Sequence, residues 1–142
     1  MYGEILLPVD LNEESSWRKA LPSALACCRA FGANLHLMAV LPDFGMTAVG
    51  QYFPEGYETQ AIAAATKDLH ALSRDHVPDS VNVQHVVAYG SIYEEILKVA
   101  QKTKADLIVM AAQRPELTDY LLGPNAARVV RHATCSVLVV RE

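Results

Sequence analysis

The sequence has no basic excess: 12 Lys and Arg stand against 16 Asp and Glu, a formal net charge of −4. That balance offers no cationic field for a phosphate backbone, so nucleic acid is not expected as a partner. No apolar run approaches the roughly 20 residues of a membrane span, and no N-terminal stretch has the basic, then apolar, then small-residue order of a secretory signal. A cytoplasmic protein with no membrane partner is therefore expected. Cysteine is sparse, with Cys27, Cys28 and Cys135 forming no C-x-x-C pair, which excludes a disulfide framework and leaves reduced, buried thiols as the expectation. His36, His70, His76, His85 and His132 include no H-E-x-x-H spacing, so no metal site of the protein's own is expected. There is neither a G-x-S-x-G elbow nor a Walker A loop. No catalytic residue is assigned on these grounds, and any ATP hydrolysis is expected to be slow.

What is present is an ordinary globular composition, 51% hydrophobic and 20% charged over 142 residues, enough for one domain spanning 1–142 with a sizeable core. Glu4 to Asp10 is a short apolar run ended by a carboxylate, the pattern of a strand buried on both faces. Trp17, Leu21, Ala24, Leu25, Cys28 and Phe31 then recur at helical spacing, with Asn12, Ser15 or Ser16 as possible caps and Gly32 as the stop. Pro22 inside that pattern predicts a kink or a later start. Asn34 to Val40 reads as a second strand, and the Pro- and Gly-bearing stretch from Leu41 to Gly56 as a long loop. A helix over Tyr57 to His76 follows, then a third strand from Val81 to Ala88. Ser91 and Glu94 form the two ends of a capping box ahead of a third helix through Ile96, Leu97 and Ala100. Asp106 to Ala111 is the fourth strand, a short helix runs through Val129 and Val130, and Ser136 to Val140 is the fifth. Strands and helices alternating at these lengths predict an α/β fold, a doubly wound parallel sheet with helices on both faces.

In such a sheet a ligand sits beyond the carboxyl ends of the strands, where the strand order reverses. Asp10, Val40 and Ala111 fall on that edge. Gly123 and Asn125 begin the fourth helix, whose free amides favour an anion, and Arg114 in the intervening polar segment has the donor fork suited to phosphate. Each has a plainer alternative: Asp10 as a cap of the first helix or a partner for loop amides, Gly123 as a tight turn, Arg114 as a solvated charge.

Ile5-Leu-Leu-Pro-Val-Asp10 at one end, and Leu121-Leu-Gly-Pro-Asn-Ala-Ala-Arg-Val-Val-Arg-His-Ala-Thr-Cys-Ser-Val-Leu-Val-Val140 at the other, resemble the universal stress proteins, the closing stretch most of all the bacterial F type. The resemblance implies an adenine-nucleotide alpha hydrolase-like fold, a five-stranded parallel sheet in the order 3-2-1-4-5. It also implies a homodimer through the last strand, Ser136 to Arg141, in which an apolar edge is covered by its own copy. Carried over residue by residue, Pro8, Val9, Asp10 and Val40 line adenine and ribose, Met110 and Ala111 the ribose, and Arg114, Gly123 and Asn125 meet the phosphates. The implied ligand is ATP, ADP or AMP, with or without Mg2+, in a regulatory role in stress response.

The sequence departs from the loop G-x-x-G-x9-G-[ST] of the nucleotide-binding members: Ala111 and Arg114 replace the first two glycines, the second spacer is one residue short, and Pro124 follows Gly123. Proline brings neither amide nor hydroxyl to a phosphate. Arg-Pro in this loop is shared with the F type, and the arginine can replace lost donors by charge. The rival readings are a dimeric protein-interaction module without nucleotide and, below it, a weak ATP hydrolase.

Overall fold

The structure, a computed structural model, describes residues 1–41, 56–112 and 124–141. Its strands are β1 (Glu4–Val9), β2 (Asn34–Leu41), β3 (Val83–Tyr89), β4 (Leu107–Ala111) and β5 (Ser136–Val140); its helices are α1 (Ala20–Phe31), α2 (Tyr57–His76), α3 (Ile92–Lys102) and α4 (Pro124–His132). The sheet is parallel throughout, in the order β3-β2-β1-β4-β5.

β1 is central, and its alternation divides the core. Ile5, Leu7 and Val9 pack with Leu21, Ala24 and Leu25 of α1 and Leu69 and Leu72 of α2. Leu6 points the other way, into a cluster with Ile96 and Val99 of α3 and Ala126 and Val129 of α4. A strand buried on both faces has no polar side to show, which is why Ile5, Leu6 and Leu7 are consecutive, apolar and fully buried.

The helix boundaries follow from backbone chemistry. Pro22 is the third residue of α1, in the first turn, where no intrahelical acceptor awaits its missing N–H, so the later start expected from the sequence is what occurs. Asn12, Ser15 and Ser16 do not cap it: the N-cap is Lys19 without a side-chain bond, and Trp17 lies before the helix. Gly32 ends α1 in the left-handed region, φ 65°, with its N–H on the Cys28 carbonyl. The capping box at α3 is also corrected. Ser91 is the N-cap but makes no side-chain capping bond, and the carboxylate beside this turn is that of Glu95, which accepts from Lys98 at 3.1 Å.

β3 begins at Val83 rather than Val81, and β4 at Leu107 rather than Asp106. Asp106 is committed to the chain start: its carboxylate accepts the N–H of Gly3 at 2.9 Å and of Glu4 at 3.1 Å. The expected loop between β2 and α2 lies, from residue 42 to 55, outside the described residues.

Lys104, just past α3, is the one non-glycine residue at positive φ among those described (56°), in a turn closed by the Ala105 N–H on the Ala100 carbonyl at 2.9 Å. A left-handed side-chain residue costs about 1–2 kcal/mol, of which glycine's extra unfolded freedom takes back about 0.5–1. Lys104→Gly is therefore expected to stabilise by about 0.5–1 kcal/mol. Thermal melting checks this as a rise of roughly 2–4 °C.

Candidate functional site at the carboxyl edge

From β1 the chain winds through α1 to β2; β4 joins β1 on its other side, so the strand order reverses between β1 and β4. The sheet opens at this junction. β1 stays in register with β2 as far as Val9↔Ala39, and β4 with β5 as far as Ala111↔Val140, but the β1–β4 ladder consists of Ile5↔Leu107 and Leu6↔Ile108 alone.

Pro8 supplies a cause. The Gly3 carbonyl accepts from Asn34 on the β2 side and the Glu4 carbonyl from Asp106 on the β4 side, so the even residues of β1 address β4. Pro8 is even-numbered and has no N–H to extend that ladder. A proline is tolerated in the central strand because it stands where pairing to one neighbour ends.

Seven of the nine residues singled out from the sequence lie among those described, six at the carboxyl ends of β1, β2 and β4 and one at the start of α4. Pro8 is half-buried, Val9 buried and Asp10 exposed at the end of β1. Val40 and Met110 pack into the α3–α4 side, Val9 and Ala111 into the α1–α2 side. Asn125 is half-buried in the first turn of α4, and its neighbour Ala126 is buried in the cluster that holds Met110. Arg114 and Gly123 lie outside the described residues, with the polar segment from Gln113 to Asp119.

Asp10 takes up its plainer role as a partner for loop amides, and it caps no helix. Its Oδ1 accepts the Asn12 N–H at 2.9 Å, an Asx turn, and its carbonyl accepts the Glu13 N–H at 3.0 Å. Its own N–H donates to Ser16 Oγ at 2.8 Å, and that hydroxyl donates to the Glu13 carbonyl at 2.7 Å. The carboxylate is thereby fixed in direction while Oδ2 has no protein partner among the described residues. Ser16, one of the three caps expected for α1, instead holds the Asp10 backbone, and a contact six residues back has no local signature.

Neither Cys28 nor Cys135 is equipped as a nucleophile. Burial, then Cys27, pushes the Cys28 thiol up to about 11, and burial raises that of Cys135, so neither is an appreciable thiolate at neutral pH. No group of three or more His, Cys, Asp or Glu that could hold a metal occurs among the described residues. No helix among them is long and apolar enough to cross a membrane. Two shallow grooves lie away from the opening. One, of about 290 Å³, runs between the ends of α3 and α4 beside Leu97, Lys104, His132 and Cys135; the other, of about 200 Å³, runs along α1 beside Trp17, Pro22 and Arg29.

A universal stress protein G of Salmonella typhimurium is 31% identical over 143 residues, taking in 99% of this chain and 100% of that protein. Among solved structures, UspA of Lactobacillus plantarum is 27% identical and superposes with a TM-score of 0.77 over 99% of this chain and 98% of that one. A universal stress protein solved in complex with cAMP, 22% identical, shares the fold with a TM-score of 0.63 over 99% of this chain and 97% of that one. The model of the universal stress protein family matches residues 1–141, the same strands and helices that build the opening at Pro8, and the chain belongs to that family.

Proposed function

We propose that this protein binds an adenine nucleotide as a regulatory ligand at the opening between β1 and β4. The observation that carries the reading is the β1–β4 ladder stopping at Leu6↔Ile108, with Asp10, whose Oδ2 has no partner among the described residues, at the end of β1 beside it. An open parallel sheet presents its ligand crevice at such a switch point, and one relative of the same fold was solved with an adenine nucleotide, cAMP. In this reading Pro8, Val9, Asp10 and Val40 take adenine and the adjoining ribose, Met110 and Ala111 the ribose, and Arg114, Gly123 and Asn125 the phosphates. The protein is then a single-domain, cytoplasmic stress-response protein. Its homodimer forms along β5, a sheet-edge strand whose Leu138 is 39% exposed.

The second reading, an interaction module of the same family without nucleotide, draws on Pro124. As the first residue of α4 it removes one of the amides that would face a phosphate. A slow hydrolase is the weakest reading, because the sequence has neither a Walker A loop nor a G-x-S-x-G elbow.

Thermal melting of nucleotide-stripped protein, with and without millimolar ATP, with and without Mg2+, decides between the first two. At about 100 times its dissociation constant a ligand adds roughly 2.7 kcal/mol, a rise of about 5–10 °C for a chain of this size. That rise is the expected result. No shift with ATP, ADP, AMP or cAMP at millimolar concentration selects the interaction module.

A further inference from the structure

α2 is held to the sheet by more than its apolar stripe. His70 of α2 lies face to face with His85 of β3, ring centroids 3.7 Å apart and planes inclined by 27°. Ser73, one turn further along α2 and buried, places its Oγ 2.7 Å from Nε2 of His85 and 3.0 Å from the His70 carbonyl. The hydroxyl has one proton for two partners, so Nε2 of His85 either donates to Ser73 or accepts from it; a second imidazole proton then goes to Nδ1 or breaks that bond. Two neutral imidazoles stack favourably; two cations at this separation repel. We propose that the His70–His85 pair is an acid-sensitive latch, which holds α2 on β3 at neutral pH and loosens that layer as the pH falls below the ordinary imidazole range.

Among the described residues, the pair's neighbours one turn away on α2 and on the facing side of β3 and β2 include no carboxylate to offset the added charge. On α2 the residues one turn either way from His70 are Lys67 and Arg74, both cationic, with Arg74 3.8 Å from the exposed Asp75. From the sheet, the face is made by Val83 and Val87 of β3 and by Leu37 of β2, the register partner of His85. Burial, and after it the neighbouring His70, holds His85 below the usual histidine pKa. A depressed histidine contributes stability that is complete above the unfolded-state value of about 6.5 and is lost as the pH falls through the folded-state value. The latch thus opens on acidification. Opening uncovers Leu69 and Leu72, which are buried against Leu35 and Leu37. The inference does not depend on nucleotide binding.

Amide hydrogen exchange of the full chain at pH 7.5 and 5.5, corrected for intrinsic exchange rates, tests it in wild type, His70→Phe and His70→Gln. Phe keeps a ring against His85 without charge; Gln keeps a neutral polar side chain if the ring proves unfavourable. His70 is exposed, so both changes are compatible with folding. In wild type, protection in α2 and β3 is expected to fall further between the two pH values than in the variants. α3 and α4 should change little. The imidazole of His85, followed by NMR, should titrate at higher pH once His70 is replaced. Equal loss of protection in wild type and variants, loss spread evenly over α3 and α4, or an unmoved His85 midpoint each overturns the latch.

Discussion

Ile108→Ala is expected to lower the unfolding free energy by about 3–5 kcal/mol and the melting midpoint by roughly 10–20 °C. Ile108 is fully buried in the cluster between the sheet and the α3–α4 layer. It is the last β4 residue in register with β1, its cluster includes Leu6 of β1 and Met38 of β2, and Ile96 and Val129 reach the same cluster from α3 and α4. Removing three carbons there leaves a void in a sheet interior that cannot collapse without dragging two helices inward. Ile108→Val should cost only about 1 kcal/mol, and Val130→Ala, at a position 44% exposed on α4, should change stability by less than about 0.5. Urea and thermal unfolding measure all three. A loss below about 1.5 kcal/mol for Ile108→Ala would mean that the α3–α4 layer repacks freely, and the opening directly above it would then lack a rigid floor.

Local periodicity and punctuation carried much of this fold because they report on local physics. The helix expected over Tyr57 to His76 is found with those bounds, Gly32 is the left-handed stop of α1, and the apolar run Ile5 to Leu7 is the doubly buried centre. Strand order was not available from periodicity; it came from the family resemblance, and β3-β2-β1-β4-β5 agrees with it. The resemblance pointed to the F type, whereas the Salmonella relative carries the designation G; the family is common to both. What stayed illegible depends on register and on side-chain direction. Ser91 and Glu94 have the spacing of a capping box, yet spacing does not decide where a hydroxyl points. The stacking of His70 on His85 requires α2 to lie over β3 at one particular register. Pro8 could be read as a strand residue, but that its missing N–H faces β4 follows only once the flanking strands are known.

Asp10→Asn and Asp10→Ala together separate the scaffold role of this carboxylate from its role toward a ligand. Asparagine keeps an Oδ1 that can accept the Asn12 N–H, so the turn after β1 survives, while the second oxygen becomes an amide donor and the charge is lost. Alanine removes turn and carboxylate together. On the nucleotide reading, Oδ2 accepts a hydrogen bond from the adenosine part of the ligand. A charge-assisted bond of that kind contributes about 1.5–3 kcal/mol, so Asp10→Asn should weaken binding roughly 10- to 100-fold while lowering the melting midpoint of the free protein little. The loss should be the same for adenosine as for ATP, because phosphate is not what Asp10 meets. Arg114→Ala should show the opposite pattern, weakening ATP far more than adenosine. Calorimetric titration of both ligands into the variants supplies the comparison. If Asp10→Asn binds adenosine as wild type does and only Asp10→Ala fails, Asp10 acts through the turn alone, and the adenosine end of the ligand must be sought on Val9, Val40 and Met110.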